Sequence, residues 1–297
     1  MRWSFTISIY ITLHASHSQQ YHSITVFSID ILQMAVDVDH LFGLSPNIPQ
    51  YAYKNKRTFL AVRDEATLLF KSKKNQSQYI VFSGVTKDIY YHDLDEELGI
   101  DSFIPNLEII LYKMPTRTHE AIQREFATML DEKLMHMGRL HKAILRIGEA
   151  DVEGEGRTKR PDTSYLPIRY PNRKWPTLVV EVGFSQDLRK LQTDARWWLS
   201  ESNGDVRTMI IISKNPKKNE MTIEKWIFDQ GPTREYHTMV VKDVNGAKAT
   251  NQNPLIIGFN DLLLRDPQEP LEQDINFPGG DWEEYADRVW AWQYAEE

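Results

Sequence analysis

Lys159-Arg160-Pro161-Asp162 and, further on, Leu178-Val179-Val180-Glu181-Val182-Gly183 are the two stretches that decide how this chain of 297 residues is read. Asp162 follows a proline, at a turn. Glu181 stands inside an apolar run that reads as a buried strand. An unpaired buried carboxylate is costly, so Glu181 needs a cation, a donor or a metal. Two acids on neighbouring strands could hold a divalent ion, which prefers hard oxygen ligands.

Outward from that strand the pattern is regular. Gly183-Phe184-Ser185 turns the chain, and a helix is predicted over 187–200 with Leu188, Leu191, Ala195, Trp198 and Leu199 inward. Lys190, Asp194 and Trp197, continuing from Gln186, form its other face. A second buried strand follows at 206–213, and strand–helix–strand at this spacing predicts a parallel right-handed crossover. Upstream, Ile122, Phe126, Met129, Leu130, Leu134 and Met137 recur at helical spacing, so 119–137 reads as an amphipathic helix capped by Thr118, with Glu125 at the flank of its buried face.

Strands are expected at 143–147, 150–152 and 159–165, and an antiparallel one at 221–228. Short strands are also expected at 58–62, 67–70, 78–82 and 107–112, and a final helix at 282–294. The fold class is α/β, a central mixed sheet flanked by helices. Residues 1–56 read as a weakly ordered segment and 57–117 as a strand-rich part. A core follows over 118–265, then an acidic tail with a short helix over 266–297.

The chain has no cysteine, which excludes disulfides, thiol catalysis and cysteine-ligated zinc, and its nine histidines show no metal-site spacing. The net charge of −7 is unevenly spread. Residues 266–297 hold ten acids and one base, Arg288, whereas nine bases face four acids between Arg157 and Arg196. A basic centre fits an anionic ligand, and the tail is expected to cover that centre when no ligand is bound. A solvated mixed surface is the alternative.

No apolar run is long enough to span a membrane. Arg2 followed by Phe5–Leu13 has the outline of a signal peptide, but Thr, Ser and Tyr interrupt it and no good cleavage site follows. An intracellular location, cytoplasm or nucleus, is expected. Whether residues 1–33 belong to the mature protein stays open, since Met34 opens an ordinary acidic start.

The order helix, strands, Pro161-Asp162, strand with Glu181, helix, strand resembles the PD-(D/E)XK phosphodiesterase superfamily over residues 118–213, with its restriction-endonuclease-like core. Lys159–Ser164, Pro176–Ser185 and Leu191–Trp198 more narrowly resemble uncharacterised fungal proteins of that fold. The resemblance implies Mg²⁺- or Mn²⁺-dependent hydrolysis of DNA or RNA. It assigns Asp162 and Glu181 as metal ligands, and Glu125 as a helical acid completing the site. Arg157, Lys159 and Arg160 are then candidates for contacting nucleic acid.

The lysine of the (D/E)XK element would fall at position 183, which is glycine. Lys190, or failing that Gln186, is the candidate to replace it. The alternative is a catalytically inactive binding or interaction module on the same core. Plainer roles stand beside each assignment. Asp162 could bond its own turn. Glu181 could pair with Arg157 or Lys190. Lys190 and Asp194 are spaced for an ordinary helical ion pair.

Overall fold

A computed structural model describes residues 37–72, 77–95, 97–148, 150–184, 187–215 and 217–294. The signal-like start and Gln186 lie outside them. The chain begins with α1 (Val38–Phe42), β1 (Gln50–Ala52), α2 (Lys56–Lys71), β2 (Tyr79–Ser83), β3 (Ile100–Ile104) and β4 (Ile109–Lys113). It continues with α3 (Arg117–His136), β5 (Ile144–Arg146), β6 (Val152–Glu153), β7 (Thr158–Lys159), β8 (Thr163–Pro167), β9 (Leu178–Phe184) and α4 (Leu188–Glu201). It closes with β10 (Thr208–Lys214), β11 (Glu220–Phe228), β12 (Pro232–Asp243), β13 (Gly246–Ala249), β14 (Leu255–Ile257), α5 (Phe259–Leu263), β15 (Ile275–Phe277) and α6 (Gly279–Tyr294).

A seven-stranded sheet carries the core, in the order β13-β12-β11-β10-β9-β8-β5. Its β9 and β10 run parallel, with Glu181 opposite Ile211, and α4 makes the crossover between them. The strands β5, β8 and β9 pair antiparallel, as do β10 and β11. Counting only strands of this sheet, the order from α3 to β10 is therefore helix, three antiparallel strands, helix and parallel strand.

Alternation along β9 sets the layers. Leu178, Val180 and Val182 face α3, α5 and α6, while Val179 packs with Leu191, Ala195 and Trp198 of α4. The strands before α3 form a second, six-stranded sheet, β1-β2-β4-β3-β7-β6, which borrows β6 and β7 from beyond α3.

Several local expectations change. The two strands predicted at 58–62 and 67–70 are one helix, α2, capped by Asn55 through its bond from the Thr58 amide at 2.9 Å. The polar residues Arg63-Asp64-Glu65 between the two predicted strands lie between the buried Phe59 and Ala66, seven apart on one face of the helix. Helix α3 is capped by Thr116 rather than Thr118.

The acidic tail does not lie over a basic centre. Phe277, Trp282, Tyr285, Val289 and Trp290 join the main core, and the Tyr285 hydroxyl donates to the Ile122 carbonyl at 2.9 Å. Its acids pair with scattered bases, Asp287 with Lys242 and Glu272 with Arg265. Among the described residues no helix is long and apolar enough to cross a membrane.

Candidate metal centre

The charged centre forms where the six-stranded sheet meets β9 and α4. Asp101 on β3, Glu181 on β9 and Asp194 on α4 each bring a carboxylate oxygen within 4.8 Å of the others. Spacing of this kind suits one divalent ion. A cation already stands among them, because Lys159 Nζ lies 3.1 Å from Asp101, 3.1 Å from Glu181 and 3.0 Å from Asp194.

Two further cations complete the cluster. Lys190 binds Asp101 at 2.7 Å and also pairs with Asp194. Arg157 reaches Asp194 at 2.9 Å and the Ser102 hydroxyl at 2.7 Å. Trp198 Nε1 donates to Glu181 at 2.9 Å. Three carboxylates thus face three cations, and Lys159, Lys190 and Asp194 are 0% exposed, Glu181 1% and Asp101 4%.

Burial and charge compete differently at each group. Burial alone would raise the Asp101 and Asp194 carboxyls, but the adjacent Lys159 and Lys190 hold both below the usual range. Burial works against the Lys159 ammonium, yet the three acids keep it above its ordinary value. Burial wins at Lys190, whose pKa is lowered. It also wins at Glu181, which is pushed up to about 7: Lys159 offsets this only in part, while Asp162, Asp194 and Asp101 add to it. Nearby Asp187 rises to about 6, again through burial.

Asp162 belongs to an adjoining group. Lys113 Nζ grips both its oxygens at 2.7 and 2.6 Å, the Val182 amide donates to it at 2.6 Å, and His119 Nε2 lies 3.1 Å away. Lys113 also donates to the Val182 carbonyl at 2.6 Å. Burial would raise Asp162, but Lys113 and His119 hold it far below the usual carboxylate range.

The sequence candidates therefore land unequally. Asp162 and Glu181 both come to the junction, on separate sets of partners. Glu125 does not: it pairs with Arg288 at 2.6 Å and accepts from Trp292 at 3.2 Å, in a groove of about 180 Å³ between α3 and α6. The residue that α3 contributes is His119, six positions earlier and hence on a different face. Lys190 reaches the centre, but as a buried network partner rather than half of a surface ion pair.

Arg157 and Lys159 are buried, and Arg160 is engaged by Asp151 and the Glu97 carbonyl. None of the three offers a free charge to phosphates. A Cβ at Gly183 would sit 3.1 Å from Leu191 Cδ1, so α4 crowds the position where the motif would have its lysine. Trp197 packs on Trp175 and Trp198, with Arg157 over its ring at 5.3 Å.

The sequence reading missed Asp101, Lys113 and His119. For two of them the signal was present. Asp101 stands in Ile100–Ile104 and Lys113 ends Ile109–Lys113, charges within apolar strands like Glu181.

The spacing of donors fits a divalent ion, but the charges around them do not. Mg²⁺ normally keeps several waters, whereas these carboxylates are closed off and already neutralised.

No family model matches the chain, and no curated protein matches it. Among solved structures it is similar to a candidate nuclease belonging to DUF820 from Anabaena variabilis. The two share 13% identity at a TM-score of 0.43, over 66% of this chain and 96% of that one. A likeness this distant carries no argument about activity.

Proposed function

We infer that this chain is a catalytically silent binding module built on a nuclease-like core, in which a lysine ammonium takes the place of the metal. The observation that carries this reading is Lys159 Nζ, within 3.1 Å of all three carboxylates that would otherwise be the ligands. Gly183 supports it, since the position expected to hold the catalytic lysine carries no side chain and is crowded by Leu191. The test is calorimetry with Mn²⁺ and cleavage assays on single- and double-stranded DNA and RNA, with Mg²⁺ and Mn²⁺. Neither binding nor cleavage is expected.

A second reading, metal-dependent phosphodiester hydrolysis of nucleic acid, is favoured by two observations. The carboxylates have metal-site spacing, and Glu181 sits near neutrality, where a catalytic acid or base works best. In that case Lys159, not Lys190, is the lysine beside Glu181, 3.1 Å away. Mn²⁺-dependent cleavage by the wild type, abolished in Glu181→Gln, would establish this reading and overturn the first.

A further inference from the structure

Two segments without an acid meet at the edge of the seven-stranded sheet. Residues 139–146 read Arg-Leu-His-Lys-Ala-Ile-Leu-Arg, and residues 168–174 read Ile-Arg-Tyr-Pro-Asn-Arg-Lys. They abut because β5 pairs antiparallel with β8. Ile144 lies opposite Pro167, and the Ile168 amide donates to the Ala143 carbonyl at 2.9 Å. Lys142, in the single helical turn that enters β5, and Arg169, in the turn that leaves β8, each lie one residue beyond that bond.

Arg139, Lys142, Arg169 and Lys174 are exposed. Arg146 and Arg173 are engaged by Asp131 and Asp205. Lys174 rests over Trp175 at 5.2 Å. Among the described residues no carboxylate pairs with Arg139, Lys142 or Arg169. Beside these cations Tyr170 is 41% and Ile168 52% exposed.

We propose that this edge binds single-stranded nucleic acid. The proposal deepens the binding-module reading by naming the partner. Cations with no carboxylate partner among the described residues attract phosphates, and on a chain of net charge −7 two such segments are a local exception. The exposed Tyr170 ring lies between Arg169 and Arg173 in sequence and offers a face on which an unpaired base can stack. A duplex keeps its bases stacked inside and would not use it. The local positive charge counted in the sequence thus divides: Arg157 and Lys159 neutralise acids within, while Arg169 and Lys174 remain for a ligand outside.

The test is fluorescence anisotropy of the full chain with a labelled single strand of about 12 nucleotides, a length within the usual footprint of such grooves. EDTA is present throughout, so binding is measured apart from any metal chemistry, and cleavage assays decide the silent-module reading separately. The triple variant Arg139→Glu, Lys142→Glu, Arg169→Glu should weaken binding at least tenfold. The triple Ala variant should lower the slope of log affinity against log salt by about 2, at about 0.7 for each phosphate no longer neutralised.

Tyr170→Ala should cost about fivefold or more on the single strand, the lower end of one stacked base, and leave heparin binding unchanged. Circular dichroism and melting confirm that the variants fold, and Arg169→Ala alone serves if the triple variants do not. Unchanged affinity in the charge variants would overturn the proposal. So would equal binding of single strand, duplex and heparin with no effect of Tyr170→Ala, which would mark a general polyanion surface.

Discussion

Lys159 Nζ and Glu181 Oε1, 3.1 Å apart, join the six-stranded sheet to the seven-stranded one through an ion pair from which water is excluded. The same ammonium binds an acid of β3 and one of α4, so three elements converge on one nitrogen. A buried pair of this kind adds little net stability over an apolar replacement, but removing one partner leaves an uncompensated charge.

Lys159→Met should therefore destabilise the fold by about 3–5 kcal/mol, the cost typical of breaking a buried pair. Mn²⁺ should return part of that loss in the variant and none in the wild type, because only the variant leaves Asp101, Glu181 and Asp194 a place for a cation. Melting temperatures in EDTA and in Mn²⁺ measure both effects. A variant as stable as wild type would show that the cluster does not depend on the ammonium.

The pH dependence of stability follows from Glu181 and Asp187, whose carboxyls are pushed up to about 7 and about 6. In this range the folded chain holds protons that the unfolded chain has released. Their contribution is complete below the ordinary carboxylate pKa and fades as pH rises through 6 and 7. Glu181→Gln should flatten the fall in stability between about pH 5 and pH 8 relative to wild type. Urea denaturation at several pH values tests this, and parallel curves for the two proteins would refute it.

Asp162 has the opposite sign. Its carboxyl is held far down by Lys113 and His119, so its contribution is present above the ordinary aspartate pKa and is lost as the solution is acidified. Asp162→Asn should cost about 3 kcal/mol near neutrality by stranding the Lys113 charge. Combined with Lys113→Met it should cost less than the sum of the two single changes. A thermodynamic cycle from denaturant melts reads this coupling, and simple additivity would count against the pairing.

Deleting residues 267–297 should abolish folding, because Phe277, Trp282, Tyr285 and Trp290 belong to the main core. Trp282→Ala alone should cost about 3–5 kcal/mol, typical of a large aromatic removed from a core. A soluble, cooperatively melting truncation would contradict the assignment of the tail to the core.

The alternation of Val179, Glu181 and Gly183 against Leu178, Val180 and Val182, with the 3.6-residue periods of α3 and α4, was legible in the sequence and determined the strand–helix–strand core. These are local properties, set by which side chains can share a face. The sequence also identified Glu181 as a buried charge in need of a partner. The partner itself was decided only by the tertiary structure. Lys159 reaches Glu181 because β7 leaves the core sheet to pair with β3, a register between segments more than fifty residues apart. Helix α4 read as one-sided because its second face carries Lys190 and Asp194, charges that belong in water until another layer supplies opposite ones. The six-stranded sheet supplies them through Asp101 and Lys159, and so closes the centre that the sequence had suggested for a metal.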